Sequence, residues 1–117
     1  MEQPLGSVTV HPSVLATVAR LTALATPGVA RLCDDRRRGV GRVFPRLGSW
    51  GGIDLSICEE AITVDLYVVA ETETNLLRLG QTLQTEVSRA VRGLVGMEVL
   101  AVNVYVQDVD VPLARPS

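Results

Sequence analysis

Ile62-Thr-Val-Asp-Leu-Tyr-Val-Val69, the amphipathic run 75–92, and Glu98-Val-Leu-Ala-Val-Asn-Val-Tyr-Val-Gln-Asp-Val109 together decide the fold. In the first stretch Ile62, Val64, Leu66, Val68 and Ala70 alternate with Thr63, Asp65, Tyr67 and Val69, the period of a strand with one face toward a core. Leu76, Leu79, Leu83, Val87, Ala90, Val91 and Leu94 then recur at helical spacing. Thr72 or Thr74 can cap this helix, Glu71 and Glu73 suit its positive end, and Gly93 and Gly96 end it. In the last strand Leu100, Val102, Val104 and Val106 point one way, and Ala101, Asn103, Tyr105 and Gln107 the other. Almost none of these side chains could perform chemistry. The segment packs and presents a surface.

Working toward the N-terminus, Ile53-Asp-Leu-Ser-Ile57 alternates and Cys58-Glu-Glu-Ala61 turns, which predicts a hairpin with the strand at 62–70. Gly6-Ser-Val-Thr-Val10 predicts a first strand. His11-Pro12-Ser13 then starts a helix, because proline in a first turn has its φ preset and lacks only a donor with no partner there. Val14, Val18, Leu21 and Ala25, widened by Leu15 and Leu24, give its expected buried stripe, and Pro27-Gly28 breaks it. Residues 29–32 make a short strand. The stretch 34–52 shifts to Arg and Gly and predicts a mobile surface loop; the tail 112–117 predicts disorder.

The expected order is β-α-β-β-β-α-β. Two amphipathic helices on one face of a mainly antiparallel sheet make an α+β two-layer sandwich. The chain is one domain, 1–117, with its core at about 6–109.

Composition narrows the function. Hydrophobic residues make up 47% and charged residues 21%, the balance of a folded globular chain. With one Phe, one Trp and two Tyr, the core must be aliphatic. A net charge of -2 argues against a general nucleic-acid or anionic-membrane binder. All 11 basic residues are Arg; GC-rich codon usage accounts for a chain-wide absence of Lys better than any local need for guanidinium does. No basic, apolar leader begins the chain, and no apolar run approaches the ~18 residues of a membrane span, so a cytoplasmic protein without direct membrane insertion is expected.

Candidate chemistry is sparse. Cys33 and Cys58 lack metal-ligand spacing and read as reduced thiols. The single histidine, His11, sits where a helix cap is needed. Asp65, on the strand face expected to be exposed, could join Glu59 or Glu60 in an acid/base or metal site, but a solvated strand charge is the plainer reading. Gly39-Val-Gly41 lacks the third glycine and the context of a dinucleotide site. No catalytic, cofactor-binding or metal-ligating residue is assigned.

Two surfaces stand out as partner-binding candidates. Tyr67, Val69, Tyr105 and Asn103 share the sheet face opposite the helices. Arg36, Arg37, Arg38, Arg42 and Arg46, with Phe44 and Trp50 nearby, could wrap an acidic surface or phosphate, the guanidinium being a planar multi-donor group.

Gly6-Ser-Val-Thr-Val10 with residues 14–25 and Pro27-Gly-Val29 resembles the N-terminal signature of the alkaline shock protein (Gls-type) envelope stress response family. Ile62-Thr-Val-Asp-Leu-Tyr67, Leu83-Gln-Thr-Glu-Val-Ser-Arg-Ala-Val91, Gly96-Met-Glu-Val99 and Val102-Asn-Val-Tyr-Val106 resemble its C-terminal signature, in order. The resemblance implies a bacterial protein of envelope homeostasis, not an enzyme, that acts by self-association as a homo-oligomer and by docking to a membrane-anchored partner. The Arg/Gly-rich loop and the absence of Lys depart from many relatives. The alternative reading is a nucleic-acid or anionic-ligand module working through residues 36–46.

Overall fold

The structure is a computed structural model and describes residues 5–34 and 46–111. Its elements are α1 (Pro12–Ala25), β1 (Val29–Leu32), β2 (Arg46–Ser49), β3 (Ile53–Cys58), β4 (Ala61–Glu71), α2 (Leu76–Val95) and β5 (Glu98–Asp110). The α+β two-layer class and the pair of helices are as expected. The strand order differs at two places.

Residues 6–10 form no strand. Val8 is 94% exposed, and the segment pairs with no strand among the described residues. An alternating Val-Thr-Val run has strand propensity, but propensity alone makes no ladder: β5 and β2 each keep an outer edge unpaired by any described strand, and residues 6–10 pair with neither. The other change is a gained strand: β2 forms inside the stretch expected to be loop, closing a hairpin in which the Trp50 and Ile53 backbones exchange hydrogen bonds at 2.7 and 3.1 Å. Gly48 makes this possible, since a Cβ there would stand 2.3 Å from the Trp50 ring.

β4 organises the sheet. Along one edge it pairs in parallel with β5 over its whole length, with α2 as the crossover between them. Along the other it pairs antiparallel with β3 for residues 61–66 and with β1 near Val68–Ala70. The ends of β1 and β3 meet at Tyr67, whose N–H donates to Gly52 O (2.9 Å) and whose carbonyl accepts from Cys33 N (2.7 Å).

Both helices pack on one face of this sheet. Ile53, Leu55, Ile62, Val64, Leu66 and Val68 supply the sheet side of the core, and Leu79, Leu83, Val87 and Val91 the α2 side. Asn75, not Thr72 or Thr74, caps α2, its Oδ1 accepting from Arg78 N at 3.0 Å. Gly96 closes the helix in the left-handed conformation, with its N–H donating to Arg92 O. Gly93 lies inside the helix, and Leu76 and Leu94 at its ends are exposed.

α1 is rotated from its expected setting. It buries Leu15, Ala16, Ala19 and Ala23, while Val14, Leu21 and Leu24 face out. Small side chains let this helix approach the sheet closely, an option that a reading based on side-chain size overlooks. In β5 the register shifts between Ile62 and Thr63, so both Val99 and Val102 reach the core and Leu100, expected inside, bulges out at 55% exposure.

Candidate interaction surfaces

The helix-free face of the sheet carries a polar block. Asp54 pairs with Asp65 and Ser56 with Thr63 across β3 and β4, and all four side chains are buried. Asp65 is thus no solvated strand charge. Asn103, beside it in the β5 register, donates from Nδ2 to Asp65 Oδ1 at 2.9 Å. Two buried carboxylates cannot stand opposite one another uncompensated, and neither they nor Ser56 is without a partner. Thr63 Oγ1 is buried with no hydrogen bond.

One step along the same face, Tyr67 and Tyr105 stack, with centroids 4.8 Å apart and planes 12° from parallel. The structure brings Tyr67, Tyr105, Asn103 and Val69 onto one face, as the alternation predicts. It buries Tyr67 and Val69, however, so Tyr105, 42% exposed, and Asn103 are the members at the surface.

Arg36, Arg37, Arg38, Arg42 and Phe44 lie outside the described residues, as do the Arg46 side chain and the tail 112–117. Trp50 is half-buried and packs against the core, and its carbonyl accepts from Arg20 Nη2 at 3.0 Å. The ring is a wedge between hairpin and core more than an open stacking platform.

The remaining polar candidates serve structure. His11 caps α1, its Nδ1 accepting from Ser13 N at 3.1 Å. Glu59 and Glu60 form the β3–β4 turn with φ of 49° and 68°, the handedness that two-residue hairpins favour. They sit at the hairpin tip, and Asp65 lies five residues up β4, a separation of about 15 Å that prevents a shared site. Cys33 and Cys58 are free thiols at opposite stretches of β4, beside Tyr67 and Ala61 respectively. Six residues of strand between those anchors span about 20 Å, too far for a disulfide. No helix is long and apolar enough to cross a membrane among the described residues.

Sequence reasoning missed one surface, the outward side of α1. Alongside it Leu21, Ala25 and Pro27 with Thr82 of α2 border an open groove of about 590 Å³. Its signal was present in the alanines at 16, 19 and 23, a second stripe at helical spacing competing with the larger residues.

Fold and surface define a two-layer α+β domain with a buried polar block on the helix-free sheet face and with larger apolar side chains of α1 left exposed. The chain belongs to the alkaline shock protein 23 family, described as having a cell envelope-related function, whose model matches residues 1–111. It is similar to the uncharacterized protein YqhY of Bacillus subtilis (strain 168), at 21% identity over 102 residues, covering 87% of this chain and 76% of that protein. No solved structure matches it significantly.

Proposed function

We propose that the protein is a non-enzymatic interaction module of the bacterial cell envelope, cytoplasmic, acting by self-association and by docking to a membrane-anchored partner. Family membership supplies the envelope setting. The observation that carries the rest is the large apolar side chains left in solvent on α1, Val14, Leu21 and Leu24. A monomer with no partner gains nothing from an apolar stripe of this kind. Two of the chemistry-bearing side chains are engaged within the fold, His11 in a helix cap and Asp65 with Asn103, which supports that reading.

Tyr105 and Asn103, on the long strand β5, form the second surface and the one assigned here to the membrane-anchored partner. Light scattering over a concentration series tests self-association, and a mass that rises with concentration is expected. A strict monomer at millimolar concentration removes that half of the reading. Recovery of a membrane protein by the wild type but not by Tyr105→Asp, from cells of the native organism, tests the other half.

A further inference from the structure

α1 turns Leu15, Ala16, Ala19 and Ala23 to the sheet and leaves Val14, Leu21, Leu24 and Ala25 in solvent. The exposed Val14, Leu21 and Ala25, with the half-buried Val18, follow i, i+4, i+7, i+11, the 4-3-4 spacing of a helix–helix seam. Leu21, at the middle of this row, is 63% exposed. We propose that the seam pairs with the same seam of a second copy of this chain, antiparallel across a twofold axis. This rests on the self-association reading above and names the surface that performs it.

Size selects the arrangement. Antiparallel pairing about the midpoint of the row sets Val18 against Leu21 of the second copy and Val14 against its Ala25. Each contact then joins a larger side chain to a smaller one, and the two ends of the seam are equivalent, as a twofold interface requires. Thr17 and Thr22 flank the row with short neutral side chains. The open groove of about 590 Å³ between α1 and α2 gives a second helix room to approach.

Charge selects the occupant. Among the 14 residues of α1 the one charged side chain is Arg20, and its guanidinium donates to the Trp50 carbonyl. A helix that lies on an anionic membrane surface carries Lys or Arg along its polar border; α1 has none free to do so. The one charge that borders the groove, Glu86 of α2, is paired with Arg89 at 3.5 Å, so the seam offers an acidic or basic partner no free charge of its own. An identical seam meets no like charge and covers apolar surface on both sides.

The expected association is weak. A helix of 14 residues is about 21 Å long, and two of them bury less than the ~1,600 Å² of a standard interface, the size range of weak and transient contacts.

Sedimentation velocity on the full chain, from micromolar to millimolar, tests the pairing with Leu21→Glu, Val18→Arg and their equimolar mixture. Circular dichroism and a thermal melt establish that each variant is folded, which the exposure of Leu21 favours. Each variant alone is expected to raise the dimer dissociation constant at least about tenfold, the worth of one buried aliphatic contact. The mixture is expected to recover association, because the new carboxylate of one copy then faces the new guanidinium of the other. Undiminished association of Leu21→Glu overturns the seam while leaving self-association standing. Loss without recovery in the mixture overturns the antiparallel pairing. A wild type that stays monomeric overturns both the seam and the self-association it rests on.

Discussion

Tyr105 lies flat on Tyr67 across the parallel β4–β5 pair, centroid to centroid at 4.8 Å, and shields a ring that is otherwise buried. Part of the candidate surface is thereby also part of the fold. Tyr105→Ala is expected to destabilise by about 1–2 kcal/mol through the lost stack and the newly wetted Tyr67 ring. Tyr105→Phe keeps the stack and should stay within about 0.5 kcal/mol of wild type. Urea unfolding followed by Trp50, the one tryptophan, measures both. Equal losses in the two variants would sink the assignment to stacking.

Asn103 donates a hydrogen bond to the buried Asp65 carboxylate at 2.9 Å. Asn103→Ala leaves that buried carboxylate one hydrogen bond short, at a cost of about 1–3 kcal/mol. Asn103→Asp adds a third carboxylate to the row that Asp54 and Asp65 already occupy, so it should cost more than the alanine. Chemical denaturation at neutral pH ranks the two, and the reverse order would count against the polar block as drawn.

Gly52 stands where β1 and β3 meet, with φ +94°. A Cβ there would lie 3.0 Å from Cys33 O and from Leu32 Cβ, neither of which can swing aside. Gly52→Ala is therefore expected to cost about 1–3 kcal/mol from backbone conformation, with the close contact adding to it. The loss should appear as a lower melting temperature. A neutral substitution would mean that the junction is looser than these distances show.

The β3–β4 turn offers the opposite sign. Glu59 and Glu60 both hold positive φ, a conformation that costs an L-residue about 1–2 kcal/mol. Glu60→Gly removes that strain at a smaller entropic cost and should stabilise by about 0.5–1 kcal/mol. The midpoint of urea unfolding would move up with its slope unchanged; a downward shift would show that the Glu60 side chain contributes contacts worth more than the strain.

What was legible in the sequence follows from which physical signals it carries. β4 and α2 were readable because Ile62–Ala70 alternates without interruption and because Leu79, Leu83, Val87 and Val91 leave a single apolar side on that helix. Residues 6–10 carried strand propensity yet pair with no described strand, and β2 hid under a Gly and Arg composition whose Gly48 in fact makes room for Trp50. Leu100 was misplaced because a bulge cannot be seen in one strand alone; it arises from the register with β4. The sheet-face candidates were gathered correctly by alternation, but the burial of Tyr67 and Val69 depends on tertiary packing that no periodicity encodes.

α1 is where two signals compete, and its packing gives a pair of opposed outcomes. Ala19 and Ala23 are wholly buried against the sheet, while Leu21 between them is largely exposed. With the helix seated this way, Ala19→Leu forces three heavy atoms into a close-packed contact and should cost about 1–3 kcal/mol. Leu21→Ala should change monomer stability by no more than about 0.5 kcal/mol, since its side chain gives up little buried area. Were the helix turned so that Val14, Val18, Leu21 and Ala25 faced the core, the ranking would invert, with Leu21→Ala costing about 2–5 kcal/mol as a core cavity. Thermal and urea unfolding at low micromolar concentration, where association through the seam contributes least, separate the two settings. The same Leu21→Ala variant should weaken self-association at high concentration, so one side chain that is dispensable for folding is expected to matter for assembly.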